Sequence, residues 1–164
     1  MNKVTLLDKV GYLGPVILLI ITIILLRYRH IYLISYLIFL YLNSVLNKLL
    51  KNIIKEPRPK KQIFKFLEEF HGSDIYGMPS GHAQSVAFTI IYSYLAIQSD
   101  FTTIIFLFIG LLTLYQRYKY GRHTINQLIA GFIIGLIFGS IVYYITKYYI
   151  ETQTKISLLY FMYN

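Results

Sequence analysis

The chain alternates long apolar runs with short polar breaks, and five runs stand out: residues 10–26, 31–50, 81–97, 101–115 and 128–145. A helix needs about 20 apolar residues to cross a bilayer, with roughly 17 as the lower limit. The pattern therefore predicts an all-α, polytopic membrane helix bundle of about five transmembrane helices. The fourth run is the weakest span, because it crosses only by borrowing interfacial residues; a re-entrant hairpin with its neighbour is the alternative. Gly131, Gly135 and Gly139 recur every four residues down the fifth run, a smooth stripe on which another helix packs closely. The longest polar segment, residues 51–79, separates the second and third runs. Within it Ile63, Phe66, Leu67 and Phe70 fall at i, i+3, i+4 and i+7, opposite Lys65, Glu68 and Glu69. That spacing predicts a short amphipathic helix in the membrane interface, ended by Gly72, with a lid over a site as the other reading. No internal repeat or low-complexity linker divides the chain, so residues 1–164 read as a single membrane-embedded domain.

Composition narrows the chemistry. The net charge of +9 sits in the breaks between apolar runs, which favours anionic lipid headgroups or phosphate groups over nucleic acid as partners. There is no cysteine, hence neither disulfides nor thiolate metal sites. No removable signal peptide is expected, since residues 1–9 are short and mixed. The seven carboxylates (Asp8, Glu56, Glu68, Glu69, Asp74, Asp100 and Glu151) are scattered, apart from the Glu68–Glu69 pair. Two-metal phosphatases need several convergent carboxylates. No metal or other cofactor is therefore expected, and any phosphate chemistry must run on cations and histidines.

Three clusters carry such chemistry: Lys51 followed after six residues by Arg58-Pro59, then Pro79-Ser80-Gly81-His82, then Arg117, five residues, His123, three residues, Gln127. With five spans, the breaks after the second and fourth lie on one side of the membrane, and all three clusters fall there. Arg58 and Arg117 grip phosphoryl oxygens through planar forks, and Lys51 adds a point charge. Ser80 and Gly81 stand where a helix begins, suited to a phosphate. Gln127, one helical turn after His123, can orient its ring. That favours His123 as the nucleophile and His82 as the acid that protonates the leaving oxygen, with the reverse assignment as the alternative. Blander roles fit the remaining polar residues. Lys48, Lys55, Lys60, Lys61, Lys119 and Arg122 read as interface anchors. His30 and His71 read as interfacial histidines, and Asn43 and Asn47 as interhelical hydrogen bonders.

These clusters resemble the signature of the type-2 phosphatidic acid phosphatase superfamily, which includes vanadium haloperoxidases: Lys-x6-Arg-Pro, Pro-Ser-Gly-His and Ser-Arg-x5-His-x3-Asp. The resemblance implies phosphate binding by Lys51, Arg58 and Arg117 with help from Ser80 and Gly81, His82 as acid and His123 as nucleophile. Gln116 replaces the pattern's Ser and Gln127 its Asp. A neutral amide orients the histidine but gives its developing charge less support than a carboxylate. The stretch His123-Thr124-Ile125-Asn126-Gln127, with Glu56-Pro57-Arg58-Pro59 and Gly77-Met78-Pro79, is similar to the dolichyl-diphosphatase branch. That branch implies metal-independent hydrolysis of dolichyl diphosphate to the monophosphate through a phosphohistidine, with an active site facing the lumen of the endoplasmic reticulum. The alternatives are a broad phosphatidate or isoprenoid-diphosphate phosphatase, or a non-catalytic lipid-binding membrane protein. Charge bias opposes the lumenal placement. Twelve Lys and Arg lie on the motif side against four on the far side, which favours a cytosolic site. Lipid tail length and oligomeric state leave no trace in the sequence.

Overall fold

The structure, a computed structural model, describes residues 4–63 and 71–163, with side chains through residue 157. Five α-helices follow in order: α1 Leu6–Leu26, α2 His30–Ile54, α3 Gly81–Ile97, α4 Asp100–Lys119 and α5 Ile125–Tyr163. A 3-10 turn, Gly72–Ile75, precedes α3. Among the described residues there is no strand, only an antiparallel bridge between Pro57 and Tyr76. The all-α membrane bundle expected from the apolar runs is the fold observed.

Among the described residues four helices are long and apolar enough to cross a membrane: α1, α2, α4 and residues 125–157 of α5. This corrects the ranking of the runs. The fourth run is a full 20-residue helix, because Ser99 caps it and it continues through the polar residues Gln116 to Lys119. The short helix is α3, at 17 residues. It lies at the centre of the bundle, with Ala83, Val86, Ala87, Phe88 and Tyr92 fully buried.

The glycine stripe explains that placement. A Cβ on Gly131 would stand 2.4 Å from the Ser80 carbonyl oxygen, and one on Gly135 2.2 Å from that of Gln84. On Gly139 it would stand 2.6 Å from Ile91 Cγ2. The stripe thus lets α5 lie directly on the backbone of α3. Below the site an aromatic core of Tyr36, Phe88, Tyr92 and Tyr143 closes the far half of the bundle. Buried phenols there keep partners, as Tyr92 donates to the Tyr32 carbonyl at 2.8 Å.

At the other end two loops pack together. Gly77 N–H donates to Glu56 O at 2.8 Å and Ile63 N–H to Tyr120 O at 3.0 Å. Gly121, at φ +63°, lies so close to Lys61 O that a Cβ would be 2.1 Å away. The expected interfacial helix falls on residues 64–70, outside the described residues.

Candidate active site

The chain places the three sequence clusters at one end of the bundle. Lys51 is in the last turn of α2 and Arg117 in the last turn of α4, each 2% exposed. Ser80 caps α3, with His82 in the first turn. His123 stands in the α4–α5 connection, 3% exposed, and Gln127 in the first turn of α5, fully buried. Lys51, Arg58 and Arg117 all act electrostatically on His82 and on His123, and His82 acts on His123 as well.

The geometry around His123 decides its tautomer. Nδ1 lies 2.9 Å from Gly77 O and 3.3 Å from Gln127 Oε1. A carbonyl oxygen only accepts, so Nδ1 carries the proton. Nε2 lies 3.2 Å from Arg58 Nη1, and a guanidinium only donates, so Nε2 holds the lone pair. The Gln127 amide is fixed by the same logic. Its Oε1 accepts from Thr124 N–H at 3.2 Å, and its Nε2 donates to Pro57 O at 2.9 Å and Glu56 Oε1 at 2.8 Å. Thr124 Oγ1 accepts in return from Gln127 N–H at 3.2 Å. Gln127 therefore closes a capping box at the start of α5 and orients His123 with one side chain. Burial, then the charges of Arg58, Arg117, His82 and Lys51, hold His123 well below the ordinary 6.5, so its ring is neutral at neutral pH.

Arg58 is anchored on both sides, through Nε to Asp74 O at 2.9 Å and through Nη1 to Arg122 O at 2.9 Å. A phosphoryl oxygen docked on this guanidinium lies within reach of His123 Nε2. Lys51 Nζ pairs with Asp74 Oδ1 at 2.5 Å. Ser80 Oγ accepts from Ala83 N–H at 3.4 Å, and Ser80 N–H donates to Gln127 O at 3.0 Å, so Ser80 ties α3 to α5. Gly81 lies against Asn47, with room for a Cβ only 3.1 Å from Oδ1. The His82 ring lies against Tyr12 of α1, centroids 6.3 Å apart. It also borders a cavity of about 300 Å³ lined by Tyr12, Val16, Asn47, Lys48 and Asp74.

Several groups escape a reading of the sequence. Arg122, expected to anchor in the interface, is 1% exposed, and its Nη1 donates to Gln62 Oε1 at 3.2 Å. The connection turns it inward as its carbonyl takes the Arg58 fork. Lys119, also expected as an anchor, pairs with Asp8 of α1 at 2.6 Å. Asn43 and Asn47 do bond between helices. Asn47 Nδ2 donates to Pro79 O at 3.2 Å and Gln84 Oε1 at 2.8 Å, while Gln84 Nε2 donates to Asn43 Oδ1 at 2.8 Å. Glu56 and Asp74 follow no spacing that marks them for the site. The one available signal was the rarity of carboxylates, with Glu56 just two residues before Arg58.

Comparisons with known proteins give the family. The chain is 34% identical over 117 residues to a Saccharomyces cerevisiae protein named dolichyldiphosphatase, a match covering 63% of this chain and 47% of the relative. It is 32% identical over 141 residues to human dolichyldiphosphatase 1, covering 75% and 57%. With lipid phosphate phosphatase epsilon 2, chloroplastic, of Arabidopsis thaliana it shares 30% over 109 residues, covering 62% and 35%. The chain spans about half the length of the dolichyldiphosphatases it matches. Its fold superposes on a crystal structure of a transmembrane PAP2-type phosphatidylglycerolphosphate phosphatase from Bacillus subtilis, with TM-score 0.63 and 21% identity over 89% of this chain and 75% of that one. The family model described as the PAP2 superfamily matches residues 31–151. That match runs from α2 into α5 and takes in every residue of the cage around His123, so the chain belongs to the PAP2 superfamily.

Proposed function

We propose that this protein is a metal-independent lipid phosphatase that hydrolyses a lipid diphosphate, of the dolichyl type, to the monophosphate through a phosphohistidine. The observation that carries the reading is the buried, neutral His123, whose Nδ1–H is held by Gly77 O and whose Nε2 faces Arg58. In the first step the Nε2 lone pair forms a bond to the terminal phosphorus. The P–O bond to the lipid monophosphate breaks, its electron pair stays on that oxygen, and His82 supplies the proton. Lys51, Arg58 and Arg117 take up the charge spread over the three phosphoryl oxygens. In the second step a water oxygen attacks phosphorus, the N–P pair returns to Nε2, and His82 accepts the water's proton. One water is consumed, and lipid monophosphate and inorganic phosphate are released.

The relatives named dolichyldiphosphatase support this substrate. A broader lipid phosphate phosphatase is the second reading, favoured by the Arabidopsis relatives' names. The same resemblance supports an endoplasmic reticulum location with a lumenal site.

The test is phosphate release from dolichyl diphosphate, and separately from phosphatidate, with chelator present, by wild type and His123→Ala. Release from the diphosphate by wild type alone supports the proposal. A profile confined to phosphatidate sinks the dolichyl assignment, and equal rates for the two proteins sink the mechanism.

A further inference from the structure

The superfamily pattern has a carboxylate where this chain has Gln127, and an amide brings no charge to a histidine that turns cationic on phosphorylation. A carboxylate nevertheless lies one hydrogen bond further out. Gln127 Nε2 donates to Glu56 Oε1 at 2.8 Å while Gln127 Oε1 faces His123 Nδ1 at 3.3 Å. The two ends of one fully buried amide thus join Glu56 to the imidazole, Glu56 and Gln127 lying 71 positions apart in sequence. We propose that Glu56 is a positioning residue for catalysis, lending its negative charge to His123 through the Gln127 amide in place of the missing aspartate.

Three features support this beyond the distances. The amide cannot turn over, because Thr124 N–H requires the oxygen at one end and Pro57 O requires the nitrogen at the other. Its dipole therefore points from Glu56 toward Nδ1–H, the direction in which a hydrogen-bond chain strengthens as positive charge grows on the ring. Second, Glu56 is fixed from its own backbone, whose carbonyl accepts from Gly77 N–H at 2.8 Å. Gly77 O in turn accepts from His123 Nδ1, so one pair of facing residues supports the imidazole by two routes. Third, the charge around the ring is otherwise cationic, from Arg58, Arg117 and Lys51. When Nε2 bonds to phosphorus and Nδ1 keeps its proton, the ring joins three cations, and a carboxylate behind it offsets that added charge.

This inference rests on the proposed reaction, so its test includes a probe that needs no lipid. Orthovanadate takes the five-coordinate geometry of a phosphoryl group in transfer and bonds to an imidazole nitrogen. Its affinity is measured by titration calorimetry on the full chain in detergent, beside kcat and KM for lipid diphosphate. Glu56→Gln keeps shape and backbone contacts and removes only the charge. We expect orthovanadate affinity and kcat to fall about ten- to a hundredfold while KM holds, the scale of a supporting-residue loss. The double variant Glu56→Gln with Gln127→Glu returns a carboxylate to the pair and is expected to recover most of both, which a merely structural Glu56 would not produce. Should Glu56→Gln fail to fold, Glu56→Ala is compared with and without added acetate, and recovery by acetate supports the role while its absence overturns it. Affinity and kcat of Glu56→Gln within twofold of wild type overturn the inference, as does a double variant no better than the single one. A wild type that binds no orthovanadate overturns it too. If wild type binds orthovanadate but releases phosphate from no lipid, the functional reading fails, and the orthovanadate comparison still decides the role of Glu56.

Discussion

His123 resists protonation in the fold and accepts it freely in the unfolded chain, and this sets a pH dependence of stability. Its folded value lies well below the ordinary 6.5, through burial first and the Arg58 and Arg117 charges next. Above about pH 6.5 neither state binds the proton and His123 contributes no slope. As pH falls below that, the unfolded state binds more protons, so stability declines until the folded value is reached. In thermal melts in detergent, His123→Asn is therefore expected to lose less of its midpoint than wild type between about pH 6.5 and 5. Parallel slopes would show that the ring is not held neutral. Asp74 makes a second prediction. Its carboxylate, nearly half exposed, sits on the Lys51 ammonium at 2.5 Å, the group expected to meet phosphate. Lys51 itself is 2% exposed, so the pair is half-buried and about 1 kcal/mol, the upper end of the range for exposed pairs, sets its scale. Relieving that competition in Asp74→Asn should lower KM by up to about fivefold with kcat unchanged. A raised KM would mean instead that Asp74 holds Lys51 in place.

Among the elements, the α3–α5 pair transmits structure to the site. Gly135→Ala would drive a methyl to 2.2 Å from Gln84 O and 2.8 Å from Ala87 Cβ, and the first of these is backbone that cannot swing aside. Such overpacking costs about 1–3 kcal/mol. A lower melting midpoint is expected, together with slower phosphate release, because Gln84 holds Asn43 and Asn47, and Asn47 holds Pro79 just before the cap of α3. Ile137→Ala, on the exposed side of the same helix, should leave both readings near wild type. The stripe was legible in the sequence because helical period alone puts residues 131, 135 and 139 on one face. Helix ends were less so. The second run stops at Leu50, yet α2 continues to Ile54 and the fourth helix to Lys119. In both cases the polar residues that end the apolar pattern are the ones the helix carries into the site. Periodicity reads apolar faces, so it loses a helix where the face turns to chemistry. It is equally blind to the contact of Glu56 with Gln127, made between a connection and the first turn of α5 far apart in the chain, which follows no repeat.

For the molecule as a whole, the structure bears on which side of the membrane the site faces. The site end holds twelve cations by sequence, which by the positive-inside rule favours the cytosol. That rule concerns charges free to meet the lipid surface, and the fold gives many of these other roles. Lys51, Arg58 and Arg117 are the proposed phosphate ligands, Arg122 is buried near them, and Lys119 is paired to Asp8. Seven then remain on this side by sequence: Lys9, Lys48, Lys55, Lys60 and Lys61, with Lys3 and Lys65 outside the described residues. At the other end stand Arg27, Arg29, Lys147 and Lys155, with Arg29 donating to the Ala96 carbonyl. With Arg29 discounted as Lys119 was, seven stand against three, so the charge bias still favours the cytosol and opposes the lumenal site that the resemblance implies. The chain has no cysteine, so single cysteines report on topology without background. Lys61→Cys marks the exposed surface at the site end and Tyr28→Cys, 79% exposed in the native residue, the opposite end. In sealed vesicles from the endoplasmic reticulum, with their cytosolic face outward, an impermeant maleimide should label Tyr28→Cys at once and Lys61→Cys only after detergent. The reverse pattern would place the proposed phosphate site in the cytosol, and the surplus of seven over three would then be a true orientation signal.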